Sequence, residues 1–314
     1  QRQMCIRDRF IIGLRISADE RDSEGLTESE SLEAVQHLQT QLDYVHIVAG
    51  TSASTGGAVH IVPPMAIAAA YLTDAAATFK ASLSIPLFVT GRINQPQEAE
   101  LILARGQADV CGMTRALICD PLMPAKTLDG RAEDVRACIA CNQACIGHFH
   151  KGLPISCIQH PETGRELHYG NLQPTLKRRR IMVVGGGPAG MKAAAVAAQR
   201  GHDVTLFEAS GQLGGQVLLA QLLPRRSEFG GASTNLQREM TLAGVRVLRN
   251  TRVDRALVEQ QRPDHVIIAT GAEPYWPAFE RGGELQVVDA WQVLRDQVTL
   301  GRSVAVSYTH LRAH

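Results

Sequence analysis

Residues 136–161 read RACIACNQACIGHFHKGLPISCIQHP and place Cys138, Cys141, Cys145 and Cys157 in a C-x2-C-x3-C-x11-C pattern. Three thiols within eight residues can lie on one tight loop and cap three corners of a small inorganic cluster, while the fourth returns after a longer excursion to complete it. The spacing points to a 4Fe-4S cluster held by these four metal ligands. Structural zinc is the alternative, since four cysteines also suit tetrahedral zinc, although zinc sites more often pair two separated C-x2-C knuckles. Within the loop, Ile139, Ala140, Ile146 and Ile158 are expected to exclude water, and Gly147 and Gly152 to let the backbone turn. With four thiols available, His148, His150 and His160 are expected to be structural or solvated.

The 314 residues are enough for two domains with cores of their own, one on each side of this loop. A formal net charge of +1 gives no reason to expect nucleic acid or an anionic membrane as a partner. The basic run Lys177 to Arg180 carries no interleaved aromatic residues and reads as a solvated edge. Of seven cysteines, four sit at ligand spacing, and Cys111 and Cys119 lie in apolar surroundings, which fits a reducing compartment better than a secreted disulfide framework. No apolar run of about 18 residues is present, so a cytoplasmic protein without a membrane span is expected. Residues 1–9 and 307–314 have neither helical nor strand period and read as non-native tails.

Before the loop, over 10–130, short β-like runs alternate with helical stretches, the signature of a parallel sheet with crossover helices. The expected strands are 10–17, 44–50, 86–91 and 108–113. Between them come a helix opened by a capping box of Thr27 and Glu30, an Ala-rich helix over 66–83, and a helix from Pro96 to Gly106. The last two strands end in VTGRIN and CGMTRAL. Gly91 and Gly112 allow close approach to a phosphate, and Arg92 and Arg115 could bind it; singly, each arginine reads first as a solvated loop charge, and as a spaced pair after consecutive strands the two readings are even.

After the loop and a polar connection (131–180), residues 181–306 open on IMVVGGGPAGMKAAAVAAQRGHDVTLFE. Gly185, Gly187 and Gly190 form G-x-G-x-x-G between a strand and a helix, and Glu208 ends the next strand, the arrangement that seats a pyrophosphate at a helix N-terminus and an adenosine ribose on the acid. LGGQ, with Gly215 and Gln216, and a later strand ending in Ala269, Thr270 and Gly271 resemble the flavoprotein disulfide-reductase-like domain, which implies FAD over NAD, with ADP alone as the alternative. A further strand is expected over 300–306; no glycine turn follows it, so an NAD(P)H site is expected only in a full-length protein.

GLRIS, VTGRIN, GMTRALICDP and the cysteine stretch, in that order, resemble the second half of the barrel and the cluster loop of the NADH:flavin oxidoreductase (Old Yellow Enzyme) family. The similarity is greatest to its iron-sulfur branch, which includes 2,4-dienoyl-CoA reductase and trimethylamine dehydrogenase, and it covers residues 10–306. It implies an α/β fold: the C-terminal half of a (β/α)8 barrel holding FMN, an iron-sulfur cluster loop, then a Rossmann-like FAD-binding domain. It further implies that Arg15 lies at the pyrimidine edge of FMN and that Gly91, Arg92, Thr114 and Arg115 hold the FMN phosphate, with Asp120 and Pro121 in the turn after the last strand. The family barrel has eight strands and four are found, so other flavin contacts and the acid/base residues are missing, and the catalytic residues stay unassigned. After the second strand the chain reads GTSASTGGAVHIVPPM, which offers no aromatic substrate bowl; His46 and His60 lie nearby and read first as structural.

The resemblance implies an oxidoreductase that passes electrons between a small-molecule substrate, FMN, the cluster and FAD, with an electron-transfer partner and, at full length, a homo-oligomer. The cluster-loop texture is most similar to N-methylproline or dimethylglycine demethylases, which implies oxidative demethylation of a small N-methylated amine. The rivals are an NAD(P)H-dependent 2,4-dienoyl-CoA or enoate reductase and a zinc-stapled, non-catalytic nucleotide-binding fragment.

Overall fold

The computed structural model describes residues 10–276 and 285–306. The tails expected at 1–9 and 307–314 lie outside the described residues. In the first unit, strand β1 (Gly13–Asp19) is followed by helix α1 (Glu28–Leu38), β2 (Tyr44–Ala49), α2 (Thr55–Ile61), α3 (Thr73–Ser82), β3 (Leu87–Val89), α4 (Pro96–Ala104), β4 (Val110–Cys111), α5 (Thr114–Cys119) and α6 (Met123–Leu128). The four strands form one parallel sheet in sequential order. The expected capping box is present, the Thr27 side chain accepting from the Glu30 amide and Glu30 from the Thr27 amide. Gln95 and Glu98 make the equivalent box around Pro96.

Side-chain alternation gives this sheet two unlike faces. Val45, Ile47, Leu87 and Val89 point to the helices and are buried with Val35, Leu72, Phe79 and Ile102. The opposite face carries Arg15, Tyr44, His46, Phe88 and Thr90, with Tyr44 stacked on Phe88 at 4.6 Å between ring centroids. No described helix covers it. Parallel sheets are ordinarily covered on both faces, and a sheet with helices on one side and bulky, polar side chains on the other is what a segment of a barrel wall looks like.

A junction with two short helices, α7 (Ile146–Phe149) and α8 (Glu166–Tyr169), leads to the second unit. That unit contains β5 (Arg180–Val184), α9 (Pro188–Gln199), β6 (Asp203–Phe207), α10 (Val217–Ala220), α11 (Phe229–Leu242), β7 (Arg246–Leu248), α12 (Arg255–Gln261), β8 (His265–Ile268) and α13 (Ala290–Leu294). Its strands are all parallel in the order β7-β6-β5-β8, which reverses direction at β5 and opens a crevice at the strand C-termini. Val183, Met191, Ala194, Ala195, Leu206, Leu236 and Met240 fill the core. Among the described residues no helix is long and apolar enough to cross a membrane.

Several local expectations are corrected. The Ala-rich helix begins at Thr73 and not at Ala66, because residues 66–72 form turns in which Ala70 adopts φ +51° and donates to the Arg92 carbonyl at 3.0 Å. Helix α2 was hidden by Gly56 and Gly57; its signal is Ser54, whose hydroxyl accepts from the Gly57 amide at 3.1 Å. Residues 300–306 form no strand, since they join neither sheet. Asp120 caps α5 and opens the turn that leads to α6, its carbonyl accepting from the Met123 amide at 3.1 Å, and Ile158, 44% exposed, lines one cavity with the four cysteines.

The two units meet across polar contacts. Glu239 on α11 receives Arg136 at 2.5 Å and Lys192 on α9 at 2.8 Å, and Arg238 reaches Asp134 at 2.5 Å. Burial by itself would raise the Glu239 carboxyl, but Arg136 and Lys192 outweigh it and hold the group below the usual glutamate range. A carboxyl depressed in the folded state contributes stability above its unfolded pKa and loses it as pH falls through the folded value. We therefore expect Glu239→Gln to cost about 3 kcal/mol in urea unfolding at neutral pH, because two cations are left without their partner. The gap from wild type should shrink once the medium falls below about pH 4; a gap independent of pH would show that charge is not its source.

Candidate functional site

The expected site residues occupy four places. On the bare face of the first sheet, Arg15 pairs in register with His46, and His46 shares a 2.7 Å hydrogen bond through Nε2 with the Thr90 hydroxyl. Burial, then the Arg15 charge, lowers the His46 pKa, so its imidazole is neutral at physiological pH. His60 is different: its ring lies against Tyr71 and its backbone carbonyl accepts from the Tyr71 hydroxyl at 2.9 Å, a structural setting.

At the C-terminal ends of β3 and β4, Gly91 is packed against Leu72, and Thr114 is the first residue of α5. The two arginines expected on a phosphate have protein partners here. Arg92, 2% exposed at its side chain, is paired with Glu228 of the second unit, and Arg115 donates to the Asn142 side chain at 2.6 Å. Arg92 nevertheless keeps a buried Nε without a partner. Such a donor costs free energy unless an acceptor arrives, so the position suits an anion. Burial, and then the Arg115 charge, lowers the Arg92 pKa.

Beside them, Cys138, Cys141, Cys145 and Cys157 all line one small cavity of about 20 Å³, together with Arg115, Ile139, Ala140 and Gln159. Asn142 organises the turn: it has φ +58°, and its side-chain amide donates to the Val62 carbonyl at 2.7 Å while accepting from Arg115. Burial raises the Cys138 thiol and pushes Cys141 up to about 11. Cys157 goes the other way, to about 6, chiefly because Cys119 hydrogen-bonds to it, with further help from the Gln159 and His160 amides. Among the described residues no three His, Cys, Asp or Glu side chains are grouped so as to hold a metal ion. The thiols thus surround a space without closing on a point. His160 is structural as expected, with Nδ1 on the Ile118 carbonyl at 3.1 Å.

In the second unit the fingerprint glycines, the second glycine pair and the end of β8 converge. Gly185 has φ +109° and lies directly against the Ala269 carbonyl; Gly190 lies against the Gly185 carbonyl; Gly187 faces open space. Gly214 donates to the Gly186 carbonyl at 2.8 Å, Gly215 packs on Gly187, and the Gln216 amide reaches the Ala272 carbonyl at 2.9 Å, close to Gly271. Glu208 accepts from the Gly186 and Ser210 amides, each at 2.7 Å. Burial favours its neutral form, but these bonds prevail and keep it below the ordinary glutamate range.

Residues 2–134 match the model of the NADH:flavin oxidoreductase / NADH oxidase family, and residues 179–306 match the pyridine nucleotide-disulphide oxidoreductase family. The chain thus joins a segment of the NADH:flavin oxidoreductase / NADH oxidase family to a segment of the pyridine nucleotide-disulphide oxidoreductase family. It is 35% identical to an N,N-dimethylglycine/sarcosine dehydrogenase of Chromohalobacter salexigens, over 96% of this chain and 45% of that protein. It is 34% identical to a probable N-methylproline demethylase of Rhizobium meliloti, over 96% of this chain and 44% of that protein. Among solved structures, a 2-naphthoyl-CoA reductase complex matches at a TM-score of 0.85 and 30% identity, over 91% of this chain and 44% of that one. The chain therefore spans less than half the length of these relatives. The bare sheet face takes its meaning from the first of the two families: in an NADH:flavin oxidoreductase it is the inner wall of a barrel.

The residues missed from sequence are those that tie these places together: Cys119, Arg136, Asn142, Gln159, Glu228, Asn235 and Glu239. Gln159, two positions after a cysteine ligand candidate, was the one with a local signal.

Proposed function

We propose that the intact protein is an iron-sulfur flavoenzyme that oxidatively demethylates a small N-methylated amine. The observation that carries this reading is the place of the cysteine cavity, between the bare face of a barrel sheet and a dinucleotide crevice. Two relatives bearing N-methylamine dehydrogenase and demethylase names support the substrate class. FMN, a 4Fe-4S cluster and FAD would supply hydride acceptance from the N-methyl carbon, single-electron passage and two-electron collection respectively, with water releasing the oxidised carbon as formaldehyde.

The chain's own residues would act as follows. Arg15 places a fixed positive charge on the barrel face, where it favours an anionic ring edge. His46, neutral and held by Thr90, can accept or donate one hydrogen bond toward the same space. Gly91, Arg92, Thr114 and Arg115 border the position of a phosphate, and the unpartnered Arg92 Nε is the donor it would satisfy. Cys138, Cys141, Cys145 and Cys157 would hold the cluster. Gly185, Gly187, Gly190, Gly215, Gln216, Ala269, Thr270 and Gly271 would line the dinucleotide, and Glu208 would take its ribose hydroxyls. ADP in place of FAD would use the same residues.

The test is to incubate full-length protein with dimethylglycine, sarcosine or N-methylproline and an artificial electron acceptor. Formaldehyde should appear in step with acceptor reduction. The second reading, an NAD(P)H-dependent enoyl- or dienoyl-CoA reductase, draws support from the 2-naphthoyl-CoA reductase match. NAD(P)H-dependent reduction of an unsaturated CoA ester, with no formaldehyde from any of the amines, would replace the first reading with the second.

A further inference from the structure

Helix α5 begins on Thr114, so Arg115 lies in its first turn, just beyond the C-terminal end of β4. Its guanidinium donates through Nη1 to the Asn142 side-chain oxygen at 2.6 Å. The Asn142 amide nitrogen in turn donates to the carbonyl of Val62, which caps α2, at 2.7 Å. These partners settle which way the Asn142 amide points: reversed, it would set an NH2 group against a guanidinium and an oxygen against a carbonyl. A second bond joins the same two loops, from the Met65 amide to the Ala140 carbonyl at 3.0 Å. Ala140 and Asn142 have positive φ, +47° and +58°, on either side of Cys141. Asn142 is therefore held by the turn it stands in and by the loop after α2, and Arg115 is held by Asn142.

What Arg115 is held against is the cysteine cavity. It lines that space with Cys138, Cys141, Cys145 and Cys157, and among the described residues that line it Arg115 is the only charged side chain. We propose that Arg115 is a fixed cation for the cluster and that Asn142 is the residue that positions it there. The proposal rests on the iron-sulfur reading given above. A 4Fe-4S core with four thiolates carries net negative charge, and one more electron makes it more negative. A cation beside it stabilises the reduced form more than the oxidised one and so raises the potential. Ile118, Ile139, Ala140 and Ala144 supply apolar lining, so little water screens the interaction. Asn142 suits the task where an aspartate would not, because its neutral oxygen holds the guanidinium by a hydrogen bond and leaves the positive charge uncancelled.

The experiment uses full-length holoprotein, with iron, sulfide and FMN assayed and the midpoint potential of the cluster measured by anaerobic redox titration followed by electron paramagnetic resonance. Asn142→Gly keeps the positive φ of the turn and drops both side-chain hydrogen bonds; it should retain wild-type iron and sulfide and titrate at a more negative potential. Asn142→Asp keeps the contact but sets a negative charge on it, and should shift further in the same direction. Arg115→Gln should shift likewise, and Arg115→Lys, which retains the charge, should return part of the way to wild type. A variant that is short of FMN is compared with wild type stripped of FMN, so that loss of the phosphate is not read as loss of the cation. An Asn142→Gly protein with full iron and a wild-type potential overturns the positioning role, and a lysine variant no closer to wild type than the glutamine one overturns the cation. Should both Asn142 variants lose their iron, the Arg115 pair decides by the same criterion. Wild-type protein without iron and sulfide overturns the iron-sulfur reading itself, an outcome distinct from a cluster that is present but indifferent to Arg115.

Discussion

Cys141→Ser in the full-length protein is expected to remove the brown colour and nearly all bound iron while leaving the dinucleotide unit folded. Cys141 lies in the tight part of the loop, one residue before Asn142 with its φ of +58°, and its thiol is pushed up to about 11 by burial. Left to itself such a side chain is a neutral, inert thiol, and a bound positive centre is what would make it a ligand. Loss of a partner outside the first ligand ring of a metal typically costs about 10–100-fold in affinity. Loss of a ligand should exceed that, so more than about a 100-fold drop is expected, and anaerobic purification cannot offset it. The second unit is unaffected because its core, built on Val183, Met191 and Leu206, contains no part of the loop. Iron and acid-labile sulfide per chain are the measurements. Undiminished iron in the variant would remove Cys141 from the ligand set, and zinc in place of iron in the wild type would replace the cluster with the structural alternative.

What could be read directly from the sequence was local. The cysteine spacing, the Thr27–Glu30 box and the glycine fingerprint with Glu208 each depend on residues a few positions apart, or on one strand-helix-strand turn whose geometry is stereotyped. Polar contacts made when two units dock carry no such signature. Arg92 and Glu228 are 136 positions apart, Arg136 and Glu239 are 103 apart, and Gln159 and Asn235 are 76 apart. Composition gave Arg92 and Arg115 a charge and a loop position, which fit a phosphate equally well with or without a protein partner. The fold then supplied Glu228 and Asn142. Cys119 was unreadable for a related reason: a cysteine among Ala116, Leu117 and Ile118 looks like a small hydrophobe, and only the return of the chain at Gln159, whose side-chain amide donates to its sulfur at 3.4 Å, gives it a partner.

The glycine fingerprint separates stability from binding in a single pair of variants. At Gly190 a Cβ would collide with the Gly185 carbonyl oxygen and lie 3.2 Å from the Ala269 Cβ. The obstacle is backbone, which cannot swing aside, so valine there must push α9 away from β5 and expose the core held by Met191 and Ala194. Overpacking a well-filled core costs about 1–3 kcal/mol where side chains can yield, and a clash with backbone belongs beyond that range. Gly190→Val should therefore fail to give a cooperatively folded second unit. At Gly187 a Cβ meets nothing within 4 Å, and the backbone is extended at φ −75° and ψ 175°, a conformation valine adopts freely. Its cost to folding should be about 1 kcal/mol or less, that of a poorer helix cap. The same open space beside Gly215 is where a pyrophosphate would need to approach, and valine fills it. Dinucleotide affinity should fall about 100-fold, equivalent to roughly 3 kcal/mol. Circular dichroism with urea unfolding reads the first effect, and chromatographic assay of nucleotide released from the purified protein reads the second. A Gly187→Val protein that still carries its nucleotide at wild-type affinity would show that this loop is not the cofactor seat, however well the glycines pack.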